Sequence, residues 1–442
     1  MNQGMRSKII VLDDDPTGSQ TVHGCLLLTR WDVATLKQGL TDASPLFFVL
    51  TNTRGMSAAR AADVTRTVCR NLHQALDELQ AAGDALLPVV VSRSDSTLRG
   101  HYPVETDIIN AELGPFDAHF LVPAFFEGGR ITRNGTHYLM VNGEPVPVHQ
   151  TEFARDSVFG YQNSYLPAYV EEKTAGRIRA SAVRLLDRQS LLAPAGQPLA
   201  DLHDYACVVV DAETADDLQR FAAHVRAAVA QGKRLLFRSA ASLLTALADL
   251  PPQPVAAADM RRFVRGNKPG AVIVGSHVPT TTRQLEALLR EPGVTGIMVD
   301  VNRIADDRDH LLVEVLTQAQ QVYDLGQSPV IYTSRTEKTF ADQSARLAFG
   351  EQVSALLMDI VRGLPSSIGY LVSKGGITSN DVLSDGLALA ASRVVGQILA
   401  GCSVVRCPDD HPRYPGLPVV IFPGNVGDAN ALVTVWQRLS AA

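Results

Sequence analysis

The stretch Lys8–Gly18, KIIVLDDDPTG, runs an almost unbroken apolar segment into three adjacent aspartates and a Pro-Thr-Gly turn. An apolar, β-branched run of this length reads as a strand buried on both faces, the kind parallel sheets use. The same unit recurs along the chain. LFFVL (46–50) precedes TNTRG, LPVVV (87–91) precedes SRSDSTLRG, HFLVPAF (119–125) precedes FEGGR, and YACVVV (205–210) precedes DAET. Further runs follow at 233–237, 271–275, 296–299, 328–333, 369–372 and 417–422. Helical patterns lie between many of them. Val64, Val68, Leu72, Leu76 and Leu79 step by four and three along one helix face. Ser57 can cap that helix and Gly83 can end it. Alternating strands and helices are the signature of a doubly wound α/β fold.

Ligands in open parallel sheets bind beyond the carboxyl ends of the strands. The polar clusters sit at those ends. Asp13, Asp14 and Asp15 therefore have three readings: a solvated turn, a metal site, or a site that handles a hydroxyl group. Arg54 follows a second strand. Arg93, Ser94, Asp95, Ser96, Thr97, Arg99 and His101 follow a third. Carboxylates, arginines and hydroxyls together suit a small, polyhydroxylated, anionic ligand. Arginine grips a carboxylate bidentately and aspartate accepts from sugar hydroxyls.

Bulk properties exclude several classes. The chain has 442 residues, a length that suits two or three domains. Hydrophobic residues make up 46% and charged residues 19%, and the net charge is −6. Without a basic excess, nucleic-acid binding is not expected. No apolar run is long enough to span a membrane, and the start of the chain lacks a signal-peptide pattern, so a cytoplasmic protein is expected. Cys25, Cys69, Cys207, Cys402 and Cys407 are scattered without CxxC spacing and read as reduced thiols. HExxH and paired cysteines are absent, so no zinc site is expected.

Two regions break the rhythm. From Gly128 to Leu166 the chain is loop-like and polar, with Asn142-Gly143 between two short apolar runs. That pattern predicts a β-hairpin, a lid or an arm packing on a partner in a homodimer. A proline-rich segment at about 248–270 marks the domain boundary, giving domains 1–250 and 262–442.

The second domain lacks GxxxxGK[ST] and GxGxxG, so neither a P-loop nor a dinucleotide fingerprint is present. Instead SKGGITSND (373–381) follows a strand and is expected to open one long helix running to Gly401. FPGNVGDANAL (422–432) repeats the arrangement with Gly424, Asn425 and Gly427, and Ser276, His277 and Thr280 precede a third helix. Glycines let backbone N–H groups approach a phosphate closely. Each turn alone is as well explained as a tight connection; together they favour a nucleotide site.

At this point the chain resembles the four-carbon acid sugar kinases, a family formerly described as a domain of unknown function. Asp14-Asp15-Pro16-Thr17-Gly18 is similar to its first motif, and Arg93 to His101 to its second. Gly375-Gly376-Ile377-Thr378-Ser379 and Phe422 to Gly427 match its third and fourth. The motifs run in the family's order across nearly the whole chain. Arg93 and His101 stand where the family has lysine and asparagine, and Ile377 where many members are acidic.

The resemblance implies two α/β domains with largely parallel sheets, a cleft between them, and an N-terminal sugar-acid domain followed by a nucleotide domain. It implies ATP with Mg²⁺ and phosphorylation of a tetronate or 3-oxo-tetronate, at O4. Ser276, Gly375, Gly376, Thr378, Gly424, Asn425 and Gly427 would hold ATP. Thr17, Arg54, Ser94 and Arg99 would bind the sugar acid, and Asp14, Asp15 and Asp95 would do the chemistry. The metal ligands stay unassigned. A kinase for another small hydroxy acid and a non-catalytic, nucleotide-regulated sugar-acid sensor remain open alternatives.

Overall fold

The computed structural model describes residues 6–335 and 343–440. The chain divides into two compact units, residues 1–252 and 253–442.

The first unit is built on strands β1 (Arg6–Asp13), β2 (Leu26–Leu28), β3 (Leu46–Leu50), β4 (Leu86–Arg93) and β5 (Ala118–Val122). A second sheet holds β6 (Arg130–Arg133), β7 (Thr136–Val141) and β8 (Glu144–Pro147), after which β9 (Arg184–Leu186), β10 (Ala206–Val210) and β11 (Leu235–Ser239) return to the first. The main sheet runs β2-β3-β1-β4-β11-β5-β10-β9, and every pairing is parallel. Ile10, Val11, Phe47, Phe48 and Val91 are fully buried, as expected of strands covered on both faces. Register puts Asp13 opposite Leu50 and Arg93, and Arg93 opposite Ser239. The carboxyl ends of β1, β4 and β11 thus lie level.

Helix α1 (Val33–Thr41) is capped by Asp32, whose side chain accepts from Thr35 N. Helix α2 (Ala58–Ala81) starts at Ser57, whose side chain accepts from Arg60 N, and ends before Gly83 at φ +87°. Helices α3 (Val104–Leu113), α4 (Leu166–Lys173), α5 (Ala215–Ala230) and α6 (Ala241–Leu247) complete the unit. The predicted hairpin is present. Asn142 and Gly143, at φ +53° and +85°, turn β7 into β8. It carries a third strand, β6, in a region whose polar composition predicts a loop.

The second unit has strands β12 (Ala271–Val274), β13 (Val294–Val299), β14 (Ser328–Thr333), β15 (Leu371–Lys374), β16 (Ala391–Leu399), β17 (Cys402–Arg406) and β18 (Pro418–Phe422). Their order is β13-β14-β12-β15-β18-β17-β16. The first five are parallel, β17 is antiparallel to β18, and β16 is antiparallel to β17. Helices α7 (Pro279–Leu288), α8 (Ile304–Asp324), α9 (Gln343–Gly363), α10 (Gly376–Asp381) and α11 (Ala431–Leu439) accompany them.

One expectation is overturned here. The single helix predicted from 381 to 401 is α10, a π-turn at Val382–Gly386, and then strand β16. In β16 buried and half-buried residues alternate strictly along Ala391–Leu399. That period of two belongs to a strand, and the β-branched Val394, Val395 and Ile398 favour it. Ala388 at φ +50° breaks the helix just before it.

All five cysteines are free and buried. Among the described residues, no helix is long and apolar enough to cross a membrane.

Candidate functional site

Strand ends β1 and β4 concentrate charge in the first unit. Asp13, the last residue of β1, is fully buried and lies 3.4 Å from Arg93 Nη1. Burial pushes its carboxyl up to about 8, against the pull of Arg93. A Cβ on Gly18 would collide with that carboxylate, so only glycine lets the chain fold back over it. Asp14 is buried too and takes Arg54 at both oxygens, Nη2 at 2.5 Å and Nε at 3.2 Å. Burial pushes Asp14 up, and Arg54 opposes the push.

Asp15 differs from its neighbours, because its side chain is 20% exposed. Its Oδ1 accepts from Thr17 N at 2.8 Å and Thr17 Oγ1 at 2.5 Å, and its Oδ2 meets Arg54 Nη1 at 3.2 Å. Against the cost of burial, Arg54, Arg93 and Thr17 hold it below the usual carboxylate range.

The loop after β4 supplies the second reachable acid. Asp95 Oδ2 accepts from Arg99 Nε at 2.8 Å and from Thr97 Oγ1. Arg54 and Arg99 outweigh burial and keep it strongly ionised. Arg99 also faces Asp156 at 3.9 Å and lies over the Phe153 ring at 4.9 Å. This loop is tied down from the insertion that carries the small sheet. His137 Nε2 meets Ser96 O at 2.7 Å, Tyr161 OH donates to Thr97 O at 2.7 Å, and Tyr169 OH donates to Leu98 O at 2.9 Å. Leu98 holds φ +67°, a conformation such ties can maintain. Ser94, Asp95, Tyr102, Tyr169, Arg238 and Ser239 are among the residues around a cavity of about 20 Å³, enough for roughly one water.

Two further charges sit behind these acids. Arg238 on β11 donates to Glu105 at 2.6 Å and to Ser92 Oγ at 2.7 Å. Glu105 also accepts from Thr53 Oγ1 at 2.6 Å. Against burial, Arg238 and Thr53 keep Glu105 ionised.

The second unit presents a different surface. Three turns converge at the ends of β12, β15 and β18. A Cβ on Gly375 (φ +124°) would stand 3.0 Å from Ser276 Cβ and 3.1 Å from Thr378 Oγ1. One on Gly424 would stand 3.0 Å from Ser276 Oγ, and one on Gly275 would strike Thr378. Thr281 Oγ1 binds Gly424 O at 3.0 Å and holds two of the turns together. Lys374 donates to Pro423 O at 2.6 Å and Gly424 O at 3.3 Å, with its ammonium 3.8 Å from the Phe422 ring centre. Burial lowers that ammonium to about 7. Arg335 donates to Ser276 O, yet its Nε and Nη2 are buried without a hydrogen-bond partner among the described residues. Unsatisfied buried donors beside glycine turns fit an anionic polyphosphate.

The structure gathers Asp14, Asp15, Thr17 and Arg54 into one network, with Ser94, Asp95 and Arg99 on the neighbouring loop. In the second unit it gathers Ser276, Gly375, Gly376, Thr378 and Gly424. Asn425 is exposed, and Gly427, at φ +81°, packs against Ala431 at the entry to α11. Sequence reasoning missed Glu105, Arg238, Lys374 and Arg335. Lys374 adjoins a recognised motif, and Arg238 and Arg335 follow apolar runs as Arg54 does, so a signal was there for all three; Glu105 carries none. Among the described residues no three His, Cys, Asp or Glu side chains converge as a metal-ligand group. A Mg²⁺ ion would then depend mainly on phosphate oxygens and water, as it commonly does.

Two family models match the chain. Residues 9–247 match the model of a sugar-binding N-terminal domain, and residues 271–432 that of a nucleotide-binding C-terminal domain. A D-threonate kinase from Bordetella bronchiseptica is 27% identical, over 97% of this chain and 96% of that protein. A D-erythronate kinase from Heliobacterium modesticaldum is 25% identical, over 97% and 96%. Among solved structures, a Salmonella typhimurium LT2 protein superposes with TM-score 0.70 at 18% identity, covering 99% of this chain and 100% of that one. A Haemophilus influenzae protein does so at 0.64 and 16%, covering 97% and 100%.

Proposed function

The chain belongs to the four-carbon acid sugar kinase family, and from that premise we propose that it transfers the terminal phosphate of ATP to the O4 hydroxyl of a tetronate or 3-oxo-tetronate. It is a phosphotransferase acting on a sugar acid. The first unit would bind the sugar acid and the second the nucleotide.

The observation that carries the reading is the pair Asp15 and Asp95. Both are held ionised, both are partly open, and each already accepts a hydroxyl hydrogen bond, from Thr17 and Thr97 respectively. A substrate hydroxyl can take the place those threonines demonstrate. One of the two acids orients the attacking hydroxyl and receives its proton as the oxygen–phosphorus bond forms. Asp14 acts through Arg54, which it fixes beside Asp15. Backbone N–H groups of the turns at Gly375–Thr378 and Gly424 would hold the phosphates, with Ser276 and Arg335 beside them. Bound Mg²⁺ would neutralise charge on the phosphate oxygens. For assembly we propose a homodimer through the edge strand β8, whose first residue Glu144 pairs with the exposed Val141 at the end of β7.

ADP release with a panel of four-carbon acids, followed by phosphorus NMR of the product, tests the reaction and the position. No ADP above the substrate-free background with any sugar acid would reject it.

A further inference from the structure

A sugar acid brings a carboxylate that needs a counter-charge. Arg54 and Arg99 are the natural candidates, yet the structure shows both committed. Arg54 spans Asp14 and Asp15, and Arg99 bridges Asp95 and Asp156. Arg93 faces Asp13, and Arg238 faces Glu105. Freeing Arg54, Arg99 or Arg238 would leave a buried carboxylate unpaired, which costs more than the new pair returns, and Arg93, with its side chain 5% exposed, is out of a ligand's reach.

Arg130 is the exception. It is half-buried and forms no ion pair among the described residues. Its Nη1 donates to Gly128 O, its Nε is buried without a partner, and its guanidinium lies 5.9 Å from the Phe125 ring centre. Burial lowers its pKa more than the nearby carboxylates Asp95 and Glu152 raise it, and Arg99 lowers it further, so the cation is only partly compensated.

Its position follows from the fold. β5 ends at Val122, and the chain turns through Phe125–Gly129 into β6, whose first residue is Arg130. Phe125 and Arg130 exchange backbone hydrogen bonds at 3.0 and 2.8 Å. The neighbouring strand β7 carries His137, which holds the Asp95 loop through Ser96 O at 2.7 Å. The small sheet therefore delivers a partly compensated guanidinium to the rim of the Asp95 loop.

We propose that Arg130 is the residue that binds the substrate's carboxylate and sets the preference for sugar acids over neutral polyols. Arg54 and Arg99 then position Asp15 and Asp95 instead of gripping substrate. The inference rests on the sugar-acid reading above. A planar fork with a free Nε offers the paired donors a carboxylate accepts.

The test is calorimetric binding of a four-carbon aldonate and of the corresponding tetritol to wild type, Arg130→Gln and Arg130→Lys, alongside kcat and KM. Arg130→Gln should weaken the aldonate about 100-fold, as expected for losing one partner of a partly buried charge pair. Tetritol affinity and the KM for ATP should stay unchanged, and kcat should change less than KM. Arg130→Lys should fall between. Unchanged aldonate affinity, or equal loss for aldonate and tetritol, would overturn the assignment. A change in kcat and ATP KM for both ligands would place Arg130 on the transferred phosphate and equally overturn it. Should wild type bind no four-carbon acid, the substrate reading falls by itself. Arg130 is then judged with three- to six-carbon hydroxy acids and their neutral alcohols, where loss confined to the acids supports it and equal loss rejects it.

Discussion

The two units carry opposite kinds of polar surface. In the first, four carboxylates (Asp13, Asp14, Asp15, Asp95) meet three arginines (Arg54, Arg93, Arg99) in a network that is nearly complete before any ligand arrives. In the second, backbone turns with glycines at their closest approach surround donors that are buried and unsatisfied. A network paired to this extent is rigid, and it discriminates by geometry because each of its charged side chains already has a partner, with Asp13 Oδ2 and Arg93 Nε left over among the described residues. An unsatisfied cradle stores a cost that an anion relieves on binding. The first arrangement suits a reacting centre and the second a phosphate holder.

The strongest way to break this contrast is to neutralise the two open acids. Asp15→Asn and Asp95→Asn should each lower kcat, the one that removes the proton acceptor by about 1,000-fold, in the range removal of a general base produces. Nucleotide affinity, read by fluorescent-analogue binding, should stay near wild type. If either variant turns over at the wild-type rate, that acid is only part of the scaffold. Next in size is Arg335→Gln, which removes the unsatisfied donors. It should weaken nucleotide binding by about 10-fold or more and leave sugar-acid affinity alone, since charge-assisted bonds to phosphate contribute about 1.5–3 kcal/mol. An unchanged nucleotide Kd would show that the cradle works through its backbone only.

Much of the first unit could be read in the sequence, because a strand buried on both faces declares itself and the polar residues after it are placed by the topology rule. All eleven apolar runs named from the sequence are strands. What stayed hidden has physical causes. Glu105 and Arg238 meet across 133 residues of chain, and no local pattern announces such a pair. Arg130 lies in a segment whose polar residues resemble a loop, yet its cross-strand partner Leu139 makes it a strand. The β16 stretch reads as helix from sequence because GITSND and the following Val382-Leu383 do start one, and the change of period comes only after Ala388.

A smaller effect sharpens the contrast through Lys374. Its ammonium is lowered to about 7 by burial, so it carries charge below that pH and loses it above. If it attracts the nucleotide, affinity should decline as pH rises from 6 to 8, and Lys374→Met should flatten that slope. A wild-type slope persisting in the variant would assign the dependence to another group.

The smallest expected effect concerns Asp13 and separates it from its two neighbours. Its folded pKa of about 8 lies above the unfolded value near 3.8, so the native state holds a proton that the unfolded chain releases. Between those values the unfolded state binds fewer protons, and stability falls as pH rises. The contribution is complete below about pH 4 and gone once pH passes about 8. Asp15 runs the other way: its lowered pKa stabilises above the unfolded value and is lost only in acid. Asp13→Asn keeps the neutral shape beneath Gly18 without the titration. Its melting temperature should therefore change less between pH 6 and pH 9 than that of wild type. Parallel curves would mean that Asp13 is ionised throughout and that the pair with Arg93 outweighs burial. A flatter curve would make the aspartate triplet three different devices: a neutral post at Asp13, an arginine holder at Asp14 and an open carboxylate at Asp15.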